Sequence, residues 1–301
     1  MSRAFVFSQF GGPEHQQFQE REVPAPGPGE LLVEVRAAGV NPADWKIRQG
    51  LFGTDLPLPA GLGSEVSGVV AAVGEQVEGF TVGQEVLAIV PAGNGGLAEH
   101  TIVRATDAVA KPAEISFVDA AAIPVAAATA YDLTHAVELG RGQTMLVLGA
   151  GGGVGLVANQ IARVHKFGAI GVASESKREV VESTGATWVQ SGPGWVDRVR
   201  ELAPDGVDLV VDLVGGETLR EAMALAKRPD LVISAADPTV VDLGGRTRPH
   251  DPEALANITS VIAHGLISPN VTATFPLDRA DEAMARVESG HSTGKTVLEV
   301  S

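Results

Sequence analysis

The chain has 301 residues, 45% of them hydrophobic and 20% charged, and its formal net charge at pH 7 is -15. This length is enough for two domains, and the composition is that of a globular protein. The negative charge argues against a nucleic-acid partner, and the absence of cysteine excludes disulfides and thiolate zinc sites. No apolar run reaches the roughly 20 residues that a bilayer requires, and the N-terminus lacks a signal-peptide pattern, so we expect a cytoplasmic protein with no membrane partner.

Short β-strand patterns punctuated by glycine and proline fill the chain up to about Lys111. Strands of this length and spacing predict a partly open barrel or a sandwich. The predicted strands are residues 4–7, 31–36, 67–73, 85–90 and 99–103.

Strand and helix patterns alternate from about Ser116 onward, which predicts a parallel, doubly wound sheet. The predicted strands are 144–148, 169–173, 187–189, 207–213 and 231–234, and the predicted helices are 118–135, the one opening after 152, 177–183, 196–202 and 218–226. Residues 239–252 carry turn residues without strong periodicity. The tail predicts helices 252–264 and 278–288 and strands 271–275 and 296–300.

A glycine-rich turn joins the first of these strands to its helix. The apolar run 145–148 gives way to glycines, and apolar residues then recur at helical spacing. Such a turn leaves the first helix amides without intrahelical partners and directs the positive end of the helix dipole at a diphosphate. The spacing is Ala150-x-Gly152-x-x-Gly155, so alanine replaces the first glycine of the dinucleotide fingerprint.

The end of the second strand bears on the choice of cofactor. An enzyme that prefers NAD usually places a carboxylate there to hold the ribose 2′-hydroxyl. This chain has Ser174 followed by Glu175, Ser176, Lys177 and Arg178. A hydroxyl and two cations fit a 2′-phosphate better, so we predict NADPH over NADH, although Glu175 opposes this and either cation alone fits a solvated helix surface.

The residues resemble the zinc-independent quinone oxidoreductase branch of the medium-chain dehydrogenase/reductases over almost the whole chain. Segments spread along the sequence carry the resemblance: 11–14, 41–50, 63–74, 82–86, 95–100, 121–125 with 129–130, the glycine turn with its alanine, 185–187, 208–216 and 294–298.

This resemblance implies a Rossmann-type doubly wound parallel sheet inserted into a GroES-like β-barrel catalytic domain. The expected boundaries are 1–118 and 253–301 for the catalytic domain and 119–252 for the dinucleotide-binding domain. It also implies a site without metal, because the positions that hold zinc in the zinc-dependent relatives read Asn41 to Asp44 and Gly63 to Glu65, with neither cysteine nor histidine.

Site residues follow from the same resemblance. The nicotinamide is expected beside Asn41 and Thr129, and Lys46 stands where many relatives carry a tyrosine facing the substrate. Lys46 could stabilise an oxyanion or deliver a proton, and the alternative is a surface lysine whose stem covers apolar area. The residues expected to bind the cofactor are Ala150, Gly152, Gly153, Val154, Gly155, Ser174, Lys177, Arg178 and Val214.

Other residues in segment 41–52 have structural interpretations. We expect Asp44 and Arg48 to pair with each other, and the alternative for Arg48 is an approach to the cofactor. Trp45 and Phe52 either line a flat pocket or belong to the core.

The sequence departs from the family pattern at two places. Leu97 replaces a common tyrosine, and the interval from Ser234 to Pro252 is shorter than usual. In relatives that region supplies a sheet strand and often part of a dimer interface. The sequence therefore does not decide whether the last strand of the sheet is present or whether the chain forms a homodimer.

The sequence therefore predicts an NADPH-dependent, metal-free oxidoreductase that transfers hydride to a small-molecule quinone or related conjugated carbonyl acceptor. An enoyl or alkenal double-bond reductase is the alternative enzyme, because both substrates are flat conjugated acceptors. An NADPH-binding scaffold or sensor without significant turnover is the alternative of another class, since fold does not fix function.

Overall fold

A computed structural model describes residues 1–301. The strands in chain order are β1 (Ser2–Phe7), β2 (Gln16–Arg21), β3 (Glu30–Val40), β4 (Ala60–Gly61), β5 (Glu65–Val73), β6 (Glu85–Ile89), β7 (His100–Arg104), β8 (Ala108–Ala110), β9 (Thr144–Leu148), β10 (Gly168–Ala173), β11 (Thr187–Gln190), β12 (Leu209–Asp212), β13 (Val232–Ser234), β14 (Arg246–Thr247), β15 (Val271–Pro276) and β16 (Lys295–Glu299). The α-helices are α1 (Pro42–Arg48), α2 (Phe117–Ala120), α3 (Ala128–His135), α4 (Gly153–His165), α5 (Arg178–Ser183), α6 (Trp195–Leu202), α7 (Gly216–Ala222), α8 (Ala254–Ala263) and α9 (Ala280–Glu288).

The chain forms two compact units, Met1–Val125 with Val271–Ser301 and Ala126–Asn270. The first unit contains a three-stranded sheet in the order β2-β1-β4 and a seven-stranded sheet in the order β15-β16-β3-β5-β6-β8, with β7 also paired to β3. The long strand β3 pairs with the C-terminal strand β16 through its second half and with β7 through its first half. The C-terminal tail thus completes the sheet that the N-terminal residues begin, as expected.

The second unit is a six-stranded parallel sheet in the order β11-β10-β9-β12-β13-β14. This is the 3-2-1-4-5-6 order of a doubly wound dinucleotide-binding sheet, whose direction of winding reverses at β9. Its central strands are buried on both faces, which explains their continuous apolar runs. The predicted Rossmann-type sheet is confirmed, including a sixth strand, although β14 has only two residues.

Residues 253–270 lie in the second unit and residues 119–125 in the first, whereas we expected the second unit to span 119–252. Helix α8 and the loop after it hydrogen-bond to the helices of this unit. The Gln160 side chain donates to the carbonyl of Ser268 at 3.0 Å and accepts its N–H at 2.9 Å, and Asn257 donates to the hydroxyl of Tyr131 at 3.2 Å.

Proline interrupts the long helix predicted over 118–135. Helix α2 ends at Ala120, residues Ile123–Ala127 form a π-type turn, and α3 begins at Ala128. Because Pro124 has no N–H to donate, a regular α-helix is not sustained through it. The irregular turn leaves the N–H of Val125 to donate to the Glu65 carboxylate at 2.7 Å.

No helix in the structure is both long and apolar enough to cross a bilayer. The cytoplasmic location expected from the sequence stays a prediction.

Candidate functional site

The glycine turn has the geometry of a phosphate-binding turn. Strand β9 ends at Leu148, Gly149 takes a φ of +79°, and α4 follows with Gly152 as its N-cap and no capping side chain. A Cβ at Gly155 would lie 2.5 Å from the carbonyl oxygen of Gly149, so only glycine lets α4 pack this closely. The first amides of α4 are therefore left to an external acceptor, as a diphosphate site requires.

Alanine at the first fingerprint position fits the turn. Ala150 is fully buried, and its N–H donates to the carbonyl of Val172 on β10 at 3.1 Å. Its methyl group faces Gly171, where a Cβ would lie 2.9 Å away. Ala150 thus fixes the turn against the neighbouring strand through backbone and packing contacts.

Lys177 lies directly on this turn. A Cβ at Gly151 would lie 2.6 Å from the Lys177 side chain, so the aliphatic stem of the lysine covers that glycine. The side chain is half-buried, and burial lowers the pKa of the Lys177 ammonium. The hydroxyls of Ser174 and Ser176 lie 3.1 Å apart on the same segment after β10. The structure therefore places the Lys177 side chain on the glycine turn, and the Lys177 N–H donates to the carbonyl of Ser174 at 3.0 Å.

Arg178 makes its contacts elsewhere. Its Nε donates to Glu182 one helical turn further along α5 at 3.0 Å, and its guanidinium stacks 5.0 Å from the ring centroid of Trp188 on β11. In the structure Arg178 thus contacts α5 and β11, whereas the stem of Lys177 lies on Gly151.

Val214 lies against the glycine turn through contacts that the sequence did not reveal. Its methyl group is 3.3 Å from where a Cβ of Gly149 would lie, and its side chain is 53% exposed. The buried carboxylate of Asp212 accepts the N–H groups of Val214 and Gly215 at 3.0 and 2.9 Å. Its other oxygen accepts the Ser234 hydroxyl at 2.6 Å. Asp212 thus fixes the Val214 turn at the carboxyl edge of the sheet.

Thr129 is buried at the second residue of α3, where its hydroxyl accepts a hydrogen bond from Arg248 at 2.7 Å. The same guanidinium pairs with the fully buried carboxylate of Asp132 at 2.7 Å. Because its oxygen accepts from Arg248, the Thr129 hydroxyl can donate its own proton to another group. Sequence reasoning missed Arg248, which follows the short strand β14 in the segment without periodicity.

Asn41 belongs to a buried polar cluster in the first unit. Its amide oxygen accepts from the Lys295 ammonium at 2.6 Å, and its amide nitrogen donates to Glu65 at 2.8 Å. Lys295 and Glu65 form an ion pair at 2.6 Å, with both side chains at least 96% buried. A Cβ at Gly39 would overlap the Glu65 carboxylate, so this glycine makes room for the cluster. Sequence reasoning missed Lys295, because its partners are more than 200 residues away.

The donor set of this cluster does not fit a metal ion. The Lys295 ammonium already supplies the positive charge beside Glu65, whose second oxygen accepts the N–H of Val125. Nowhere in residues 1–301 do three or more His, Cys, Asp or Glu side chains come together as metal ligands. Zinc needs three or four such ligands in tetrahedral geometry, and these residues do not supply them.

The expected pairing of Asp44 with Arg48 is wrong. Arg48 is fully buried and forms an ion pair with Glu288 of α9 at 2.7 Å, while Asp44 accepts the backbone N–H of Asn41 at 2.7 Å as an N-terminal cap of α1. Both residues lie on one short helix. Long-range packing determines the contact of Arg48, whereas the contact of Asp44 is local to the N-terminus of α1.

The remaining residues of segment 45–52 differ in environment. The Lys46 ammonium lies 5.7 Å from the ring centroid of Trp45, which packs partly buried against the core of the first unit. Phe52 is 69% exposed and belongs to no core. Leu97 is fully buried in the core of the first unit, so its role is in packing.

Comparison with known families matches two parts of the chain. The model of the alcohol dehydrogenase GroES-like domain matches residues 27–113, and that of the zinc-binding dehydrogenase matches residues 177–298. The NADPH-dependent alkenal/one oxidoreductase, chloroplastic, of Arabidopsis thaliana is 32% identical over 98% of this chain and 79% of that protein. The chain belongs to the medium-chain dehydrogenase/reductase family.

This chain is also similar in sequence and fold to other members of the medium-chain dehydrogenase/reductase family. The quinone oxidoreductase of Rattus norvegicus is 30% identical over 98% of this chain and 96% of that protein. The crystal structure of Escherichia coli quinone oxidoreductase complexed with NADPH has a TM-score of 0.89 at 28% identity, covering 99% of both chains. The GroES-like and Rossmann-type parts of this chain are thus the family's fold, and the chain is an oxidoreductase of that family that uses a nicotinamide cofactor.

Proposed function

We propose that this protein is an NADPH-dependent, metal-independent oxidoreductase that reduces a quinone or a related conjugated carbonyl compound. The observation that carries the cofactor assignment is the position of Lys177, whose stem covers Gly151 while burial destabilises its charged form. A bound 2′-phosphate would offset that destabilisation by placing an anion beside the ammonium.

The chain's own residues provide a fit for NADPH. The first amides of α4, from Gly153 to Gly155, are proposed to hold the diphosphate, and Ser174 with Lys177 the 2′-phosphate. Val214 and Thr129 are proposed to contact the nicotinamide, with Asp212 and Arg248 keeping them in place. When bound, the cofactor supplies the hydride.

Glu175 does not occupy the position expected of a residue that selects NADH. The residue directly after β10 is Ser174, and Glu175 follows it as an exposed residue of a short 3-10 turn. A carboxylate there remains hydrated, whereas the partly desolvated Lys177 gains more from an anionic ligand. We therefore expect Glu175 to reduce the preference for NADPH without reversing it.

Support for a conjugated carbonyl substrate comes from the relatives, whose names include quinone oxidoreductase and alkenal/one oxidoreductase. In both reactions hydride adds to an electron-poor carbon and negative charge develops on oxygen, so one set of donors serves both. Lys46 is proposed as a donor to that oxygen. A homodimer stays a prediction.

The test is turnover of the purified chain with NADPH or NADH and either 1,4-benzoquinone or a small enal. We expect faster oxidation of NADPH than of NADH with the quinone, and because the chain lacks cysteine, quinone addition to a thiol does not complicate the assay. Faster reduction of the enal than of the quinone would favour the double-bond reductase. Tight NADPH binding without turnover of either acceptor would favour the scaffold.

A further inference from the structure

One oxygen of the Asp44 carboxyl is buried without a hydrogen-bond partner. Its Oδ2 accepts the backbone N–H of Asn41 at 2.7 Å, whereas Oδ1 has no hydrogen-bond partner at normal distance, although the Ser64 hydroxyl is near enough to lower the pKa of the carboxyl. A buried carboxylate oxygen in this state costs free energy, which a proton on the carboxyl largely removes. Desolvation by burial accordingly raises the pKa of Asp44 to about 6, against the lowering effects of the Asn41 N–H, the Ser64 hydroxyl and Lys295.

Asp44 and Ser64 line a cavity of about 70 Å³ in the first unit. This volume holds roughly two water molecules or the carbonyl end of a flat substrate. The side chains of Ile47, Leu62 and Val90 supply an apolar lining around the two polar groups. Such a cavity suits a mostly apolar molecule with one oxygen that needs a donor.

The hydrogen bonds of Asn41 determine what Ser64 can do. Lys295 donates to the Asn41 amide oxygen, which orients the amide so that its nitrogen donates to Glu65 at 2.8 Å and to the Ser64 hydroxyl at 3.4 Å. Because the Ser64 oxygen accepts from Asn41, its own proton is available to another acceptor.

We propose that the Ser64 hydroxyl protonates the oxyanion of a carbonyl substrate in this cavity and that Asp44 replaces that proton. The inference rests on the proposed function, and it assigns the proton that accompanies the hydride. After hydride has added to carbon, the substrate oxygen takes the Ser64 proton, forming one O–H bond as another breaks. The Asp44 carboxyl gives its proton to the Ser64 oxygen, is left as a carboxylate, and regains a proton from water before the next turnover.

The charged groups that face Asp44 are Lys295 on β16 and Glu65 on β5. They are ion-paired with each other at 2.6 Å, so together they add little net charge at Asp44. Asp44 is therefore the group of this cluster that titrates near pH 6. Since Asp44 must be protonated to act, kcat should fall as pH rises through this range.

The experiment measures kcat for 1,4-benzoquinone at saturating NADPH from pH 5 to 8.5 in the full chain and three variants. Ser64→Ala should lower kcat about 100-fold, in the range of a lost general acid, and Ser64→Thr should restore most of the rate because it keeps the hydroxyl. Asp44→Asn keeps the size and the cap of the side chain, and its kcat should be low and independent of pH.

A second readout does not depend on turnover. Carboxyl-carbon NMR of labelled protein without cofactor should show one aspartate titrating near pH 6 that is missing in Asp44→Asn. Full activity of Ser64→Ala, or the wild-type pH profile in Asp44→Asn, would overturn the proton route while leaving the proposed function intact. Failure of the wild-type chain to turn over quinones or enals would overturn both.

Discussion

Lys177 and Arg178 are adjacent cations with different surroundings, which makes them a matched pair of variants. We expect Lys177→Ala to weaken NADPH binding about 10- to 100-fold and NADH binding less than threefold, because only the former carries the 2′-phosphate that the ammonium would contact. Arg178→Ala removes a contact with Glu182 and Trp188 and should change both affinities little. Titration of each cofactor by fluorescence measures both effects.

Equal losses of affinity for NADPH and NADH in Lys177→Ala would contradict the assignment of the 2′-phosphate site. A large loss of affinity for NADPH alone in Arg178→Ala would show that the 2′-phosphate binds at α5. Melting temperatures of both variants without cofactor serve as the control for folding.

At the scale of single residues, contacts were only partly predictable from the sequence. The glycine turn was predicted with its position and its residues because strand period, glycine spacing and helix period coincide within a dozen residues. The partners of Arg48 and Asn41 were not, because Glu288 and Lys295 are distant in sequence and join them only through tertiary packing.

At the scale of an element, the segment from β14 to α8 depends on Arg248. We expect Arg248→Met to lower the free energy of unfolding by about 2–3 kcal/mol, because it leaves the fully buried Asp132 carboxylate without its charged partner. Urea denaturation measures this change. Arg246→Met, which alters an exposed side chain two residues earlier, is the control and should cost less than about 0.5 kcal/mol.

The double variant Arg248→Met with Asp132→Asn separates charge from packing. It should recover part of the stability lost in Arg248→Met, since no unpaired carboxylate remains. A double variant as unstable as the sum of the two single ones would show that the ion pair does not couple segment 246–251 to α3.

Elements with strong periodicity were predicted well, and those without it were missed. Strand β2 carries a single apolar residue, Phe18, so its sequence shows no alternation, and its pairing with β1 at a sheet edge establishes it as a strand. Helix α1 was missed because it has only seven residues and begins with a proline. The predicted helix over 118–135 was too long because the alanine-rich run conceals the effect of Pro124.

At the scale of the whole molecule, the distribution of charged groups argues for chemistry without metal. The chain has no cysteine, its seven histidines form no group with carboxylates that could ligate a metal, and the Lys295 ammonium is the cation between Asn41 and Glu65. Prolonged dialysis against EDTA should therefore leave turnover and the unfolding midpoint unchanged, with far less than one zinc per chain by elemental analysis. Loss of activity that zinc restores would contradict this.

The matched variant for that experiment is Lys295→Met. It removes the buried ammonium of the protein, whereas EDTA removes metal ions. It leaves the buried Glu65 carboxylate without its charged partner and should cost about 3–5 kcal/mol of stability, measured by urea denaturation. Zinc added to this variant should not recover the loss, because the cluster offers only the carboxylates of Asp44 and Glu65, fewer than the three or four ligands that zinc needs. Recovery with zinc would show that the cluster is a metal site held closed by Lys295.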